Sequence, residues 1–144
     1  GGDSDIEQKE KFDRVDDSVC AVRSALQEGI IPGGGLALWR LAPDLEKACD
    51  YPEEDIANRI LSATLKSPLL QIMENAGLDG DSIMDQPDLI DDTHGFDVKN
   101  EKYGDMFKMG VIDPLKVTKN ALINAVSVAT TILSTNAIVT HARA

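Results

Sequence analysis

The chain has 144 residues, 42% of them hydrophobic, so it can form one packed domain and is not disordered throughout. Its 25 acidic and 14 basic residues give a formal net charge of −11, which argues against nucleic-acid binding and against attraction to anionic membranes. Aromatic residues make up only 4%, and no apolar run is long enough to span a bilayer. A core of Ala, Leu, Ile and Val favours packed helices.

The first predicted element is a helix from about Asp5 to Gln27, and Gly29 is a natural stop for it. An apolar stripe of helical period runs along it: Val15, Val19, Val22 and Leu26. Its polar N-terminal half indicates a helix that lies against another domain or in solvent, and thus a chain cut from a larger protein. The side chains of Asp16 and Asp17 point about 100° apart on this helix, so the two carboxylates cannot act together on one group. Spacing alone favours two solvated acids, and the alternative is one aspartate facing a cleft.

Three consecutive glycines, Gly33, Gly34 and Gly35, precede a helix that begins near Leu36. Exposed N–H groups at a helix start, approached by bare backbone, suit a nucleotide or another anion. The run is not a Walker A loop, because no Lys-Ser/Thr pair follows it. It is not a dinucleotide fingerprint either, because we expect a helix and not a strand before it. Taken alone, the run favours a tight turn between helices.

Prolines divide the middle of the chain into further predicted helices. Pro43 is expected to bend or divide the helix that begins at Leu36, and Pro52 with the acids after it is typical of a new helix start. Ser67-Pro68 predicts an interruption, followed by a helix over residues 69–76 and a short one over residues 82–85.

The last part of the chain predicts a hairpin, a long helix and a strand. Phe96, Val98 and Tyr103 flank the polar run 99–102 and predict a small β-hairpin. Asp113 is expected to cap a helix over residues 114–134, which is apolar on two faces and therefore predicted to be largely buried. The Asp113 carboxylate could also accept hydrogen bonds from ribose hydroxyls. Residues 137–140 predict a short strand that needs a partner from another chain or from further sequence.

No metal site is predicted. Cys20 and Cys49 match no zinc or redox spacing, and His94 and His141 lie far apart in the sequence. The residues alone therefore predict an acidic, mainly helical chain with one loop that suits a nucleotide.

Several motifs occur in an order that one family shares. These motifs are Arg14-Val15-Asp16-Asp17-Ser18-Val19, residues 28–38 with the glycine run, Tyr103-Gly104-Asp105-Met106, and residues 110–118 around Ile112-Asp113-Pro114. In these motifs, and over nearly its whole length, the chain closely resembles the group I chaperonins of the GroEL type.

The resemblance implies an origin and a fold. Residues 1–27 would be a helix from the end of the intermediate domain, and residues 28–144 the C-terminal half of the ATP-binding equatorial domain. The implied fold is mainly α, a multi-helix equatorial-domain half with a small β-hairpin and a short C-terminal strand. The implied function is part of an ATP-dependent chaperonin, which assists protein folding through ATP-driven conformational change of a ring.

The resemblance also implies residue roles. Asp17 matches a catalytic aspartate that helps to position the attacking water, and Gly34 matches a glycine whose backbone lies against the nucleotide. Asp113 matches an aspartate that binds the ribose. Asp97 and Val98 match the hairpin positions that contact adenine, where the family often has an amide and an alanine.

The implied cofactor is ATP, with Mg²⁺ held by residues outside this chain, so we expect the chain alone not to hydrolyse ATP. The implied partners are sibling subunits in a ring, a co-chaperonin and unfolded polypeptides. In the family, the strand near Val139 pairs with a hairpin of the neighbouring subunit. We expect an organellar matrix, such as that of mitochondria, with the bacterial cytoplasm as the alternative. Two other functions stay open: a non-catalytic helical interaction module derived from a chaperonin and, least favoured, a small nucleotide-binding enzyme complete in itself.

Overall fold

The computed structural model describes residues 1–45, 47, 51–86, 91–137 and 139–140, and it is mostly helical with a few short strands. The helices are α1 (Asp5–Glu28), α2 (Leu36–Leu45), α3 (Pro52–Asn75), α4 (Gly80–Met84), α5 (Met106–Met109) and α6 (Leu115–Leu133). The strands are β1 (Ile30–Pro32), β2 (His94–Asp97), β3 (Lys102–Asp105) and β4 (Ile112–Pro114). Strand β1 pairs with β4, and β2 pairs antiparallel with β3. The mainly α fold is confirmed. In the described part of the chain, no helix has both the length and the apolar character that crossing a membrane requires.

The chain divides into two compact units. The core unit is residues 30–113, and the helix-pair unit is residues 1–29 together with residues 114–144. The division into an intermediate-domain helix and an equatorial-domain half stays a prediction.

The core unit is built on the packing of α2 against α3. Its buried apolar side chains form one cluster: Leu36, Leu69, Met73, Met84 and Met106. Partly buried neighbours complete it, among them Trp39, Phe96, Val98, Met109 and Val111. Helix α3 buries one face at helical spacing through Ser62, Leu65, Leu69 and Met73. The cluster therefore joins both helices to the hairpin and to α5.

Helix α3 runs without a break through Ser67 and Pro68, so the predicted interruption is wrong. A proline inside a helix removes one backbone hydrogen bond and costs about 3 kcal/mol. Here Leu65 and Leu69 lie on the same buried face on either side of Pro68, and burying each such side chain is worth roughly 1.5–3 kcal/mol. Packing therefore offsets the proline. Pro43 likewise lies inside a single continuous α2.

The helix-pair unit starts as expected. Ser4 caps α1, because its side chain accepts a hydrogen bond from the Glu7 backbone N–H at 3.2 Å. The helix ends before Gly29, whose φ of 91° ends the helical conformation. Helix α6 packs against α1, and Lys116 donates a hydrogen bond to the Gln27 side chain at 2.6 Å.

Neither α1 nor α6 contains a buried residue. The prediction of a largely buried last helix is therefore wrong within this chain, because one neighbouring helix can cover only part of one face. Large apolar side chains of α6 are exposed: Val117, Ile123, Val126, Val128, Ile132 and Leu133.

The predicted terminal strand is only partly described. Ile138 lies outside the described residues, while Ala137, Val139 and Thr140 are not part of a strand within this chain. Pairing of this segment with another chain stays a prediction. Cys20 is an exposed free thiol, and Cys49 lies outside the described residues.

Candidate functional site

The glycine run follows a strand. The expectation of a helix directly before it is wrong, because β1 lies between α1 and Gly33. Three residues are too few to show an alternating pattern, so the strand has no sequence signal of its own. Pairing with β4 stabilises it, and just beyond the strands Gly33 N–H donates to the Val111 carbonyl at 2.9 Å.

The three glycines occupy three different environments. A Cβ on Gly33 would lie 3.0 Å from the Ile112 backbone nitrogen, and a Cβ on Gly35 would lie 2.8 Å from the Leu69 backbone nitrogen. Both positions therefore allow a close approach of backbone to backbone. Gly34 has a φ of 66°, and the nearest atom to its Cβ position would be Met106 Cε at 3.7 Å. A Cβ at Gly34 would therefore meet only side chains at ordinary contact distances, whereas Gly33 and Gly35 lie against backbone atoms.

Asp113 lies in β4 and does not cap α6, so the capping prediction is wrong. The pairing of β4 extends to Pro114, which occupies the cap position and makes no side-chain capping bond. The Asp113 carboxylate is half-buried, and this burial raises its pKa, while a hydrogen bond from Gly34 N–H opposes the rise. A carboxylate has about four acceptor positions, so this one keeps capacity for further donors such as hydroxyl groups.

The predicted hairpin is confirmed as β2 and β3. Phe96 pairs with Tyr103, and their ring centroids are 4.9 Å apart. Tyr103 also donates a hydrogen bond to the Ile83 carbonyl at 3.2 Å, which joins the hairpin to α4. On the other side, Arg40 of α2 donates to the His94 carbonyl at 3.0 Å. Hydrogen bonds to α4 and from α2 therefore hold the hairpin in place.

Asp97 ends β2 and is only 7% exposed. One of its oxygens accepts a hydrogen bond from the Lys99 backbone at 2.9 Å, and the other accepts one from the Asn100 side-chain amide at 2.5 Å. These bonds, first of all that from the Asn100 side chain, lower the pKa of Asp97. The carboxylate thus shapes the hairpin turn as an ionised acceptor.

A cleft of about 440 Å³ lies between the glycine turn and the hairpin, within the core unit. Its polar rim includes Gly34, Asp97, Lys99 and Asn100, and Val98 lies beside them. Its apolar walls include Leu36, Ile72, Met73, Met106, Met109 and Val111. A mostly apolar cleft of this size with a few polar groups is typical of small-ligand sites.

Three of the five predicted site residues, Gly34, Asp97 and Val98, line this one cleft, and the Gly34 backbone amide influences the pKa of Asp113. Asp17 belongs to the helix-pair unit, where it is exposed on α1. Their functional roles stay predictions.

Sequence reasoning missed Lys99 and Asn100, together with the methionine wall. The Asp-x-x-Asn spacing from Asp97 to Asn100 is a usable signal, because a turn brings such side chains together.

The described residues offer apolar surface and acceptor groups of the kind that a nucleoside can use. The cleft offers apolar walls for a flat base, and Asp113 offers acceptors for hydroxyl groups. Among the described residues, no group of three or more His, Cys, Asp or Glu side chains is close enough together to hold a metal ion.

Comparison with known proteins gives two findings. The sequence profile of the TCP-1/cpn60 chaperonin family matches residues 1–143. This chain belongs to that family. A crystal structure of a group III chaperonin in the open state superposes with a TM-score of 0.71 and 29% sequence identity, over 81% of this chain. The match covers 25% of that chaperonin, so this chaperonin chain spans about a quarter of its relative's length. Both findings support a chaperonin, and neither singles out group I.

Proposed function

We propose that this chain supplies the nucleoside-binding part of the ATP site of a group I chaperonin subunit. In this proposal, the Gly34 backbone lies against the nucleotide, Asp113 accepts hydrogen bonds from the ribose hydroxyls, and the hairpin at Asp97 and Val98 borders the base. ATP arrives with Mg²⁺ that residues outside this chain hold.

One observation carries the proposal. A Cβ at Gly34 would meet side chains at ordinary contact distances, Met106 Cε at 3.7 Å and Val111 Cγ1 at 3.9 Å, and burial raises the pKa of the half-buried Asp113 carboxyl against the opposing effect of the Gly34 backbone amide. Burial of a carboxylate costs free energy unless hydrogen-bond donors compensate, because burial disfavours its charged form, and this carboxylate has acceptor positions left for further donors. Hydroxyl groups of a ligand would meet this need at the edge of a cleft that suits a flat base.

Binding of ATP to the purified chain tests the proposal, by calorimetry or, for weak binding, by saturation-transfer NMR. We expect binding that Asp113→Ala weakens about tenfold to a hundredfold, because hydrogen bonds to a charged group contribute roughly 1.5–3 kcal/mol. The matched control is Asp44→Ala on α2, which removes an exposed carboxylate outside the cleft and should leave ATP affinity unchanged. Equal affinities for wild type and Asp113→Ala would refute the ribose role.

The proposed role of Asp17 concerns hydrolysis, and its test needs the full-length protein. We propose that Asp17 helps to position the attacking water. Asp17→Ala should then lower kcat by about a hundredfold or more while ATP still binds, since a positioned acid–base group contributes roughly 10²–10⁴-fold. Asp16→Ala, one residue earlier on the exposed face of α1, is the control and should retain turnover. Equal losses in the two variants would remove Asp17 from the mechanism.

The remaining features of this proposal follow from the group I resemblance. The full-length protein would form a ring with sibling subunits, work with a co-chaperonin and bind unfolded polypeptides, in an organellar matrix or in the bacterial cytoplasm. Cross-linking and electron microscopy of the full-length protein test the ring. Recovery only as monomers at all concentrations would count against it.

A second candidate is a non-catalytic helical interaction module. It is favoured by the exposed apolar side chains of α1 and α6, for example Val22 at 60% and Leu133 at 85% exposure. Failure of the chain to bind ATP, combined with concentration-dependent self-association in light scattering, would support this candidate over the nucleotide site.

A further inference from the structure

A side-chain amide stands at the rim of the cleft. Asn100 lies in the turn between β2 and β3 and lines the cleft beside Lys99 and Val98. Its side-chain nitrogen donates a hydrogen bond to Asp97 at 2.5 Å, and its backbone N–H approaches the other oxygen of Asp97 at 3.4 Å. The carboxylate of Asp97, a residue that is only 7% exposed, therefore holds the exposed amide of Asn100 in place.

This contact fixes which way the amide points. An ionised carboxylate only accepts hydrogen bonds, so the amide nitrogen of Asn100 must face Asp97, and the flipped amide would place two oxygens against each other. The hydrogen bonds around Asp97 lower its pKa, which keeps it ionised. The second N–H of the amide and its carbonyl oxygen make no other hydrogen bond among the described residues. Asn100 thus offers one donor and one acceptor in a fixed order.

We propose that Asn100 reads the base of the bound nucleotide, with Asp97 as its positioning residue. This inference rests on the proposed nucleotide site. An asparagine amide pairs with adenine through two hydrogen bonds, one from the amide N–H to a ring nitrogen and one from the exocyclic amine to the amide oxygen. A purine that carries a carbonyl in place of the exocyclic amine of adenine would place its carbonyl oxygen against the amide oxygen of Asn100. Because Asp97 prevents the amide from flipping, the site cannot adapt to such a base.

Competition between ATP and inosine triphosphate tests the inference, since the two differ only at this edge of the base. We expect the purified chain to bind ATP about fivefold to tenfold more tightly than inosine triphosphate. This ratio lies at the low end of the discrimination that an amide–adenine pair provides, because the turn is exposed to water. In Asn100→Ala, the ratio of affinities should fall to near one. The matched control is Asn120→Ala, an exposed asparagine on α6, which should keep the wild-type ratio.

A spectroscopic readout separates base reading from a structural role. The side-chain amide signal of Asn100 is identified in ¹H–¹⁵N spectra by its loss in Asn100→Ala. It should move on saturation with ATP and move less with inosine triphosphate. Circular dichroism and Trp39 fluorescence verify that the variant is folded, and Asn100→Ser provides a second variant that also lacks the amide.

The outcomes distinguish this inference from the proposal on which it rests. If Asn100→Ala and Asn100→Ser keep the wild-type preference for ATP, the inference is overturned and the nucleotide site stands. If Asp113→Ala weakens both nucleotides equally while the preference remains, both ideas are supported. If the wild-type chain binds neither nucleotide, the proposed site fails and this inference fails with it.

Discussion

In the core unit, α3 buries Leu65, Leu69 and Met73 under its neighbours, whereas α6 of the helix-pair unit carries as many apolar side chains and buries none. The difference lies in the number of packing partners. The buried side chains of α3 meet α2, α4 and the core cluster, while within its unit α6 packs against α1 alone. An apolar stripe therefore predicts that a helix face packs against a partner, but it does not show whether that partner belongs to the same chain.

The largest expected difference between the two units is in the free energy of unfolding that is lost when a leucine is replaced by alanine. Leu69 is 4% exposed in the core, so Leu69→Ala should lower the free energy of unfolding by about 2–5 kcal/mol. Leu133→Ala, at 85% exposure on α6, should change it by less than about 0.5 kcal/mol. Urea unfolding followed by Trp39 fluorescence measures the core unit, because this single tryptophan packs against its cluster, and far-UV circular dichroism adds the helices of the other unit, which include Leu133. Similar costs for the two variants would contradict the contrast.

The glycine turn tests how tightly the core unit is packed around the site. Gly35 has a φ of 80° and no room for a Cβ, so Gly35→Ala combines backbone strain with a clash against Leu69. We expect a loss of about 2–4 kcal/mol, from roughly 1–2 kcal/mol of strain plus overpacking. Gly110→Ala, at a φ of 76° with open space, isolates the strain and should cost only about 1–2 kcal/mol. Equal melting temperatures for these two variants would show that the turn is not closely packed.

The smallest effect concerns the two carboxylates of the core unit, whose pKa values move in opposite directions from 3.8. Burial raises the pKa of Asp113, so the folded state holds its proton more tightly than the unfolded state does. The contribution of Asp113 to stability therefore falls as pH rises through the window above 3.8. The Asp113→Asn variant should therefore gain stability relative to wild type as the pH rises from acid to neutral.

Asp97 is the matched control with the opposite sign. Its pKa is lowered, so its contribution is present above the ordinary value of 3.8 and is lost as pH falls through the folded value. Asp97→Asn should therefore cost more at neutral pH than in acid. Thermal unfolding of wild type, Asp113→Asn and Asp97→Asn is measured from acid to neutral pH. For each variant, the difference in melting temperature from wild type is plotted against pH, and the two plots should have slopes of opposite sign. Slopes of the same sign would mean that the environments of these carboxylates are not as described.

Elements with a strong local pattern were predictable from the sequence. The span of α1 follows from its apolar stripe and its stop at Gly29, and the hairpin follows from Phe96 and Tyr103 around a polar turn. The break at Pro68 was wrong because tertiary packing outweighed the helix propensity of one residue. Strands β1 and β4 were missed because each is three residues long and exists only through pairing with a distant segment.

Three of the predicted site residues, Gly34, Asp97 and Val98, line one cleft, but the geometry of that cleft was not predictable from the sequence. The glycine run alone favoured a tight turn, with a nucleotide loop as the alternative, and only the packing shows that Gly33 and Gly35 lie against backbone while Gly34 faces side chains. Asp113 was expected at a helix cap and lies instead in a strand, because pairing of β4 moves the helix start to Leu115. Asn100 was overlooked because its meeting with Asp97 depends on the turn that the two residues form.

The pairing of β1 with β4 has a consequence for protein engineering. These strands stand at the two ends of the core unit, so its first and last residues are neighbours across a sheet. A segment whose ends meet is suited to excision, to transplantation into a host loop and to circular permutation, because a short linker can join the old ends. The cleft between the glycine turn and the hairpin could then be produced as an independent miniature domain, in which nucleotide binding is measured without the exposed helix pair.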